Sequence, residues 1–290
     1  MPDPLPDIDS LWNYPDPAAT EVVFREVLAR PAVAAAPAYR LELLTQLART
    51  QSLQRKWPEC HAILDEVEPQ AADAPPRVRV RLWLERGRAF NDVGRHAEAK
   101  GCFAQAWDLG RAERLDFLAV DAAHMFGVMD PPDEAIAWNE RALAYAKESN
   151  DPRARRWFGT LSNNLGWTYH KLGRYGEALA LFEQQVPYFE QLGRPDRARI
   201  ARYSIAKTVR MLGRVEEALA MQRDLLATAT EPDGYVHEEI AECLLALGRA
   251  DEGRGHFARA YDLLKADPWF PPDETARLER MRQLSEGPAA

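Results

Sequence analysis

Polar and apolar residues fall in blocks that fit helices along most of the chain. In the stretch LSNNLGWTYHKLGRYGEALALFEQQ, residues 161–185, Leu165 and Tyr169, then Leu179 and Phe182, recur at helical intervals on either side of Gly173. That spacing places an apolar stripe on each of two helices, and the glycine between them ends the first by taking a left-handed conformation. The word LGR recurs at Leu172-Gly173-Arg174, Leu212-Gly213-Arg214 and Leu247-Gly248-Arg249, with VGR at Val93-Gly94-Arg95. Seven residues before each of these glycines stands a small residue (Gly166, Ala206, Ala241, Gly87), and five after stands another (Ala178, Ala218, Gly253, Ala99). A ring follows at nine in Phe182, Phe257 and Phe103, with Gln222 the exception. Antiparallel helices that cross closely need small side chains at the crossing, so Gly166 is expected to oppose Ala178, at a cost of about 1 kcal/mol relative to alanine.

Small, aromatic, glycine turn, small and aromatic at these offsets resemble the tetratricopeptide repeat, a helix-turn-helix unit of 34 residues. The best copy is 159–192, through Leu165, Gly166, Tyr169, Gly173, Tyr175, Ala178 and Phe182. Residues 80–113 follow through Trp83, Gly87, Phe90, Gly94, Ala99, Phe103 and Ala106, with Arg86 where the family usually has leucine. Weaker units lie at 199–232 and 234–267. Two are degenerate: 41–74 keeps Leu44, Leu47, Ala48, Trp57, Cys60 and Leu64 but has Arg55 in the turn, and 116–149 keeps Ala122, Ala123, Phe126 and Ala135 with Pro131 and Pro132 in the turn. The resemblance implies an all-α fold, a right-handed superhelical solenoid of antiparallel helix pairs, with about six repeats over 41–267 and capping helices at both ends. The spacing of the units is similar to that of kinesin light chains and bacterial peptide-pheromone receptors, a long-period type.

The ends complete this organisation. Residues 1–15, rich in proline and aspartate, are expected to be flexible, and 16–40 to hold a capping helix and a connection, with Asp16 as its cap, Pro17 just inside and Val23, Phe24, Val27 and Leu28 on one face. Residues 268–290 are expected to form a C-terminal capping helix opened by Pro272 and carrying Leu278, Met281 and Leu284, followed by a tail.

Composition narrows the partners. The 290 residues carry a net charge of -8 and a pI near 5.4, which opposes an extended phosphate backbone, so nucleic acid is not expected. The start MPDPLPDIDS has neither a basic n-region nor an apolar run, and nothing approaches the roughly 20 apolar residues of a membrane span, which points to a cytoplasmic protein without membrane insertion. Cys60, Cys102 and Cys243 lie far apart inside helical patterns, as buried thiols rather than metal or redox groups.

In a stack of such units the first helices line the inner wall. Asn163, Trp167 and His170 share one face there, away from the seam of Leu165, Gly166 and Tyr169. Equivalent positions give Tyr203, Lys207 and Arg210 in the next unit and Asp121 and His124 in the preceding one, and Asn164 and Lys171 complete the candidate groove. An asparagine side chain both donates and accepts, so it pairs with an extended peptide whatever its sequence. Lys207 and Arg210 suit an acidic side chain or a C-terminal carboxylate, and Trp167 or Tyr203 an apolar residue. In the resembling families an asparagine before LG contacts bound peptide, and Asn164-Leu165-Gly166 matches that motif. The corresponding residues elsewhere are Gln46, Glu85, Asp121, Ser204 and Glu239, so the ladder is incomplete. The acidic trio Glu238, Glu239 and Glu242 is expected to be a solvated face.

Catalytic signatures are absent. The sequence VHEEIAEC lacks zincin spacing, GRGHFA follows no strand, and neither Ser162 nor Ser204 lies in a nucleophile elbow. No cofactor or metal is expected. The sequence therefore points to a noncatalytic adaptor or receptor that binds a protein or peptide segment, with an assembly subunit working through convex or end surfaces as the alternative. An enzyme using Asp121 and His124 ranks last.

Overall fold

The computed structural model describes residues 5–268, 270, 271 and 273–287, and among them the regular structure is helical. The chain divides into two compact units, Met1–Leu161 and Ser162–Ala290, with the boundary inside one long helix. The first unit holds a 3-10 helix, Ile8–Leu11, then α1 (Pro17–Leu28), α2 (Pro31–Ala34), α3 (Pro37–Leu53), α4 (Trp57–Ala71), α5 (Pro76–Asp92), α6 (His96–Ala112), α7 (Asp116–Met129), α8 (Pro132–Glu148) and the start of α9 (Pro152–Lys171). The second holds the rest of α9, α10 (Tyr175–Gln191), α11 (Pro195–Met211), α12 (Val215–Ala227), α13 (Gly234–Ala246), α14 (Ala250–Ala266) and α15 (Thr275–Glu286).

Sequential pairing organises each unit. In the first, α3 packs on α4, α5 on α6 and α7 on α8, while α3, α5 and α7 lie side by side. In the second, α11 packs on α12, α13 on α14, and α15 closes against α14. Prolines at the first helical position, where a missing N–H costs nothing, open α1, α3, α5 and α11. Asp16 caps α1 by accepting from the Ala19 N–H at 2.9 Å.

The turns explain the repeated words. Gly94, Gly173, Gly213 and Gly248 have φ of 79°, 74°, 82° and 72°, the left-handed region that ends a helix. Arg55 replaces glycine in the first such turn and adopts φ 60° all the same. The arginine after each glycine folds onto a glutamate three residues on: Arg95 with Glu98, Arg174 with Glu177, Arg214 with Glu217 and Arg249 with Glu252.

At the crossings the geometry differs from the sequence expectation. A Cβ on Gly166 would lie 2.5 Å from the Phe182 ring, and one on Gly87 2.6 Å from Phe103, so the glycine makes room for the ring nine residues past the turn rather than for Ala178. Ala178 is itself fully buried. At the C-terminus Met281 is fully buried with Leu278 and Leu284 packed beside it, whereas Pro272 lies outside the described residues.

The N-terminal segment departs further from expectation. Residues 1–4 lie outside the described ones, but residues 5–16 are packed rather than loose: Ile8 is 3% exposed, Leu5, Leu11 and Trp12 join the core around Phe24, and the Tyr39 hydroxyl donates to the Pro6 carbonyl at 2.8 Å. Proline and aspartate content marks a chain that cannot build its own core, and here the first unit supplies one. No described helix is long and apolar enough to cross a membrane.

Candidate functional site

The residue two places before each small crossing residue carries the polar chemistry of the first helices. In the first unit these are Gln46, Glu85 and Asp121, and they form a bonded row. Gln46 Nε2 donates to Glu85 Oε1 at 3.4 Å, and Arg88 donates to Glu85 at 2.8 Å and to the two Asp121 oxygens at 2.5 and 2.6 Å. Asp121 is therefore committed to Arg88 and does not pair with His124 as an acid–base couple. His124 instead sets its ring 5.1 Å from Trp157, and burial lowers its pKa although the Asp121 charge opposes that shift.

In the second unit the same offset gives Asn164, Ser204 and Glu239. The Ser204 hydroxyl donates to the Ile200 carbonyl at 3.0 Å. Glu239, only 1% exposed, accepts from Lys207 Nζ at 2.6 Å and from Arg210 Nε at 2.8 Å. Burial alone raises the pKa of the Glu239 carboxyl, but Lys207 and Arg210 outweigh it and hold the group below the ordinary value. Two cations meet one carboxylate, so the cluster keeps a positive surplus while Lys207 and Arg210 are already engaged. The acidic trio is thus not a solvated face. Glu238 pairs with Arg277 and Glu242 with Arg280, because α15 lays both arginines along α13.

Asn163 and Asn164 stand apart. Both are half-buried, and neither side-chain amide is hydrogen-bonded to another described residue; the bond at Asn164 is from the Thr168 hydroxyl to its backbone carbonyl, at 2.9 Å. Beyond them on α9, Trp167 lies 5.2 Å from Phe182 and 5.1 Å from His170, centroid to centroid. Burial, then the Lys207 charge, lowers the His170 pKa, which brings α9 and α11 into one electrostatic neighbourhood. Tyr203 has Lys207 Nζ 5.9 Å from its ring, and burial followed by the Glu239 charge pushes its hydroxyl well up. Lys171 is exposed.

Of the ten candidates, Asp121 and His124 belong to the first unit and the other eight to the second. Sequence reasoning missed Arg88 and Glu239 as organisers. Arg88 follows Gly87 as Trp167 follows Gly166, so the offset was readable, but whether a ladder residue faces solvent or a neighbour depends on what the next helix presents. The described residues contain no group of three or more His, Cys, Asp or Glu able to hold a metal ion.

A tetratricopeptide-repeat family profile matches residues 157–231. A search of curated protein sequences finds no match. Among solved structures the chain is similar to the apo form of RapI, at TM-score 0.76 and 10% identity over 97% of this chain and 79% of that one. It is also similar to a signal-transduction ATPase with a tetratricopeptide-repeat sensor from Pyrococcus horikoshii, at TM-score 0.70 and 14% identity over 92% of this chain; the chain spans 42% of that protein's length. The apo quorum sensor NprR from B. thuringiensis aligns at TM-score 0.60 and 15% identity, over 95% of this chain and 79% of that one. At these identities the likeness concerns the fold. Residues 157–231 thus carry a tetratricopeptide-repeat match, and the same helix-pair packing on both sides of them makes the chain similar in fold to tetratricopeptide-repeat proteins.

Proposed function

We propose that the chain is a noncatalytic receptor or adaptor, acting in the cytoplasm, that holds an extended peptide on the first-helix face of its second unit. The observation that carries this is the state of the ladder. Gln46, Glu85, Asp121, Ser204 and Glu239 are all bonded within the protein, whereas the Asn164 amide, with Asn163 beside it, is bonded to no described residue. A half-buried amide left with donors and an acceptor suits a peptide backbone. Trp167 and Tyr203 offer apolar cover, and the surplus charge of Lys207, Arg210 and Glu239, extended by exposed Lys171, favours an acidic residue or a C-terminal carboxylate. Two proteins that share the fold are described as a quorum sensor and as a repeat sensor, in keeping with a receptor role.

The test is fluorescence anisotropy with a peptide selected from a random display library on the full chain. Asn164→Ala is expected to weaken binding about tenfold, one or two hydrogen bonds' worth, without moving the melting temperature. Equal affinity in the variant would remove the basis of the proposal.

A second role rests on the turn edges. Val93 and Val128 in the first unit are 42% and 57% exposed, and Leu172 and Leu212 in the second 41% and 40%, all beside turns from a first to a second helix. Such aliphatics suit an assembly contact. Sedimentation across concentrations decides: an oligomer dispersed by Leu172→Asp with Leu212→Asp supports it, and a monomer throughout ends it.

A further inference from the structure

Residues 5–16 of the first unit lie on the first helices much as a separate peptide would. Their one regular element is the four-residue 3-10 helix, and besides local bonds at Asp7, Asn13 and Asp16 their polar contacts at Pro6, Asp9 and Trp12 run to residues 33 to 144 positions away. Asp9 sits among three guanidiniums, with Arg77 at 3.0 Å, Arg153 at 3.2 Å and Arg81 also in contact. Glu42 accepts from Arg77 Nε at 2.6 Å and forms an ion pair with Arg81 Nε at 2.8 Å, and Asp151 lies 3.5 Å from Arg153. If Asp9 leaves, three cations face two carboxylates, so whatever replaces it must bring a negative charge. Three residues on, the Trp12 indole N–H donates to Gln46, the first rung of the polar row, at 3.1 Å, and Trp12 packs edge-on against Phe24 at 5.3 Å. The Tyr39 bond to the Pro6 carbonyl reads backbone, not side chain.

The segment covers only part of this face. Tyr14 stacks on Trp12 at 4.6 Å yet is 65% exposed. Beside it opens a cavity of about 330 Å³, lined among others by Arg49, Arg88, Asp121, Phe117 and Trp157. A longer chain entering along the same course meets two more arginines and two more aromatic rings there.

We propose that residues 5–16 are a ligand bound in cis, and that the face beneath them takes an acidic, tryptophan-containing segment of a partner protein, which displaces them. The charge at Asp9 and the indole at Trp12 define the pattern: a carboxylate followed three residues later by tryptophan. The tether gives the native segment a high effective concentration, so a partner competes only when it also uses the neighbouring cavity or arrives in excess. This face belongs to the first unit, and the proposal stands separately from peptide binding on α9 and α11.

The test uses a labelled peptide of residues 5–16 and the full chain. Asp9→Asn with Trp12→Ala in the chain is expected to bind the peptide at least about tenfold more tightly than the unsubstituted chain. Adding Arg77→Gln is expected to abolish that gain, and Asn164→Ala to leave it untouched, which separates this site from the one in the second unit. Helicity and melting temperature of the double variant are followed in parallel. No binding to a double variant that keeps its helicity overturns the proposal. Loss of helicity in the double variant also overturns it, since the segment is then part of the core and not a ligand.

Discussion

At the level of single residues, close approach decides more than propensity does. Gly166→Ala places a Cβ 2.5 Å from the Phe182 ring, an overpacking expected to cost about 1–3 kcal/mol in urea denaturation. Gly101→Ala, on α6 with nothing within 4 Å of the added carbon, is expected to stabilise by up to about 1 kcal/mol. The same experiment on both separates a packing glycine from a tolerated one. The thiols give a second check: burial pushes Cys60 up to about 12 and Cys102 and Cys243 up to about 11. At pH 8 none is expected to react with a disulfide reagent until the protein is unfolded, when all three do. The turn glycines were legible because their offsets repeat, and the buried cysteines because each falls inside a helical pattern. The partner of Gly166 was not, because the ring at nine and the alanine at five both face the first helix and only the crossing geometry chooses between them.

Among the elements, the degenerate repeats show how local rules are broken and compensated. Arg55 holds φ 60°, a conformation that strains any residue with a Cβ, so Arg55→Gly is expected to stabilise α3–α4 by about 1 kcal/mol, read as a rise in urea midpoint. Arg86, standing where the family has leucine, is 4% exposed and reaches Asp65 and Glu68 on α4, both at 2.7 Å, which replaces an apolar contact by a charged one. The pair Lys207→Glu with Arg210→Glu acts on the fold as well as on the groove. It leaves the buried Glu239 carboxylate without cations and adds two more negative charges, so the melting temperature is expected to fall by several degrees; an unchanged melt contradicts the described cluster. Helix pairs were readable from apolar spacing. The charge network was not, since Glu238, Glu239 and Glu242 look like a wet face until α15 places Arg277 and Arg280 beside Glu238 and Glu242, and α11 places Lys207 and Arg210 beside Glu239.

For the molecule as a whole, pH dependence sums these local environments. Burial lowers the pKa of His61, His124, His170, His237 and His256, with neighbouring cations or the other histidine of the 237–256 pair adding to it. A histidine whose folded pKa lies below its unfolded value of about 6.5 contributes stability that is present above that pH and lost as pH falls through the folded pKa. Asp9, Glu21 and Glu239, held low by arginine, lysine or amide partners against the effect of burial, add a second loss below about 4.5. The melting temperature is expected to be flat from pH 8 to 7 and to fall in two stages on acidification; a rise below pH 6.5 contradicts these environments. The repeat order was written in the sequence, but the packed course of residues 5–16 was not, because its contacts are with arginines 68 to 144 positions away. Peptide recognition on the second unit is tested most directly by hydroxyl-radical footprinting of the full chain with and without a display-selected peptide. The account predicts protection of Trp167, His170 and Tyr203 on α9 and α11. Protection confined to Tyr188 and Phe189 on the second helix α10 contradicts it.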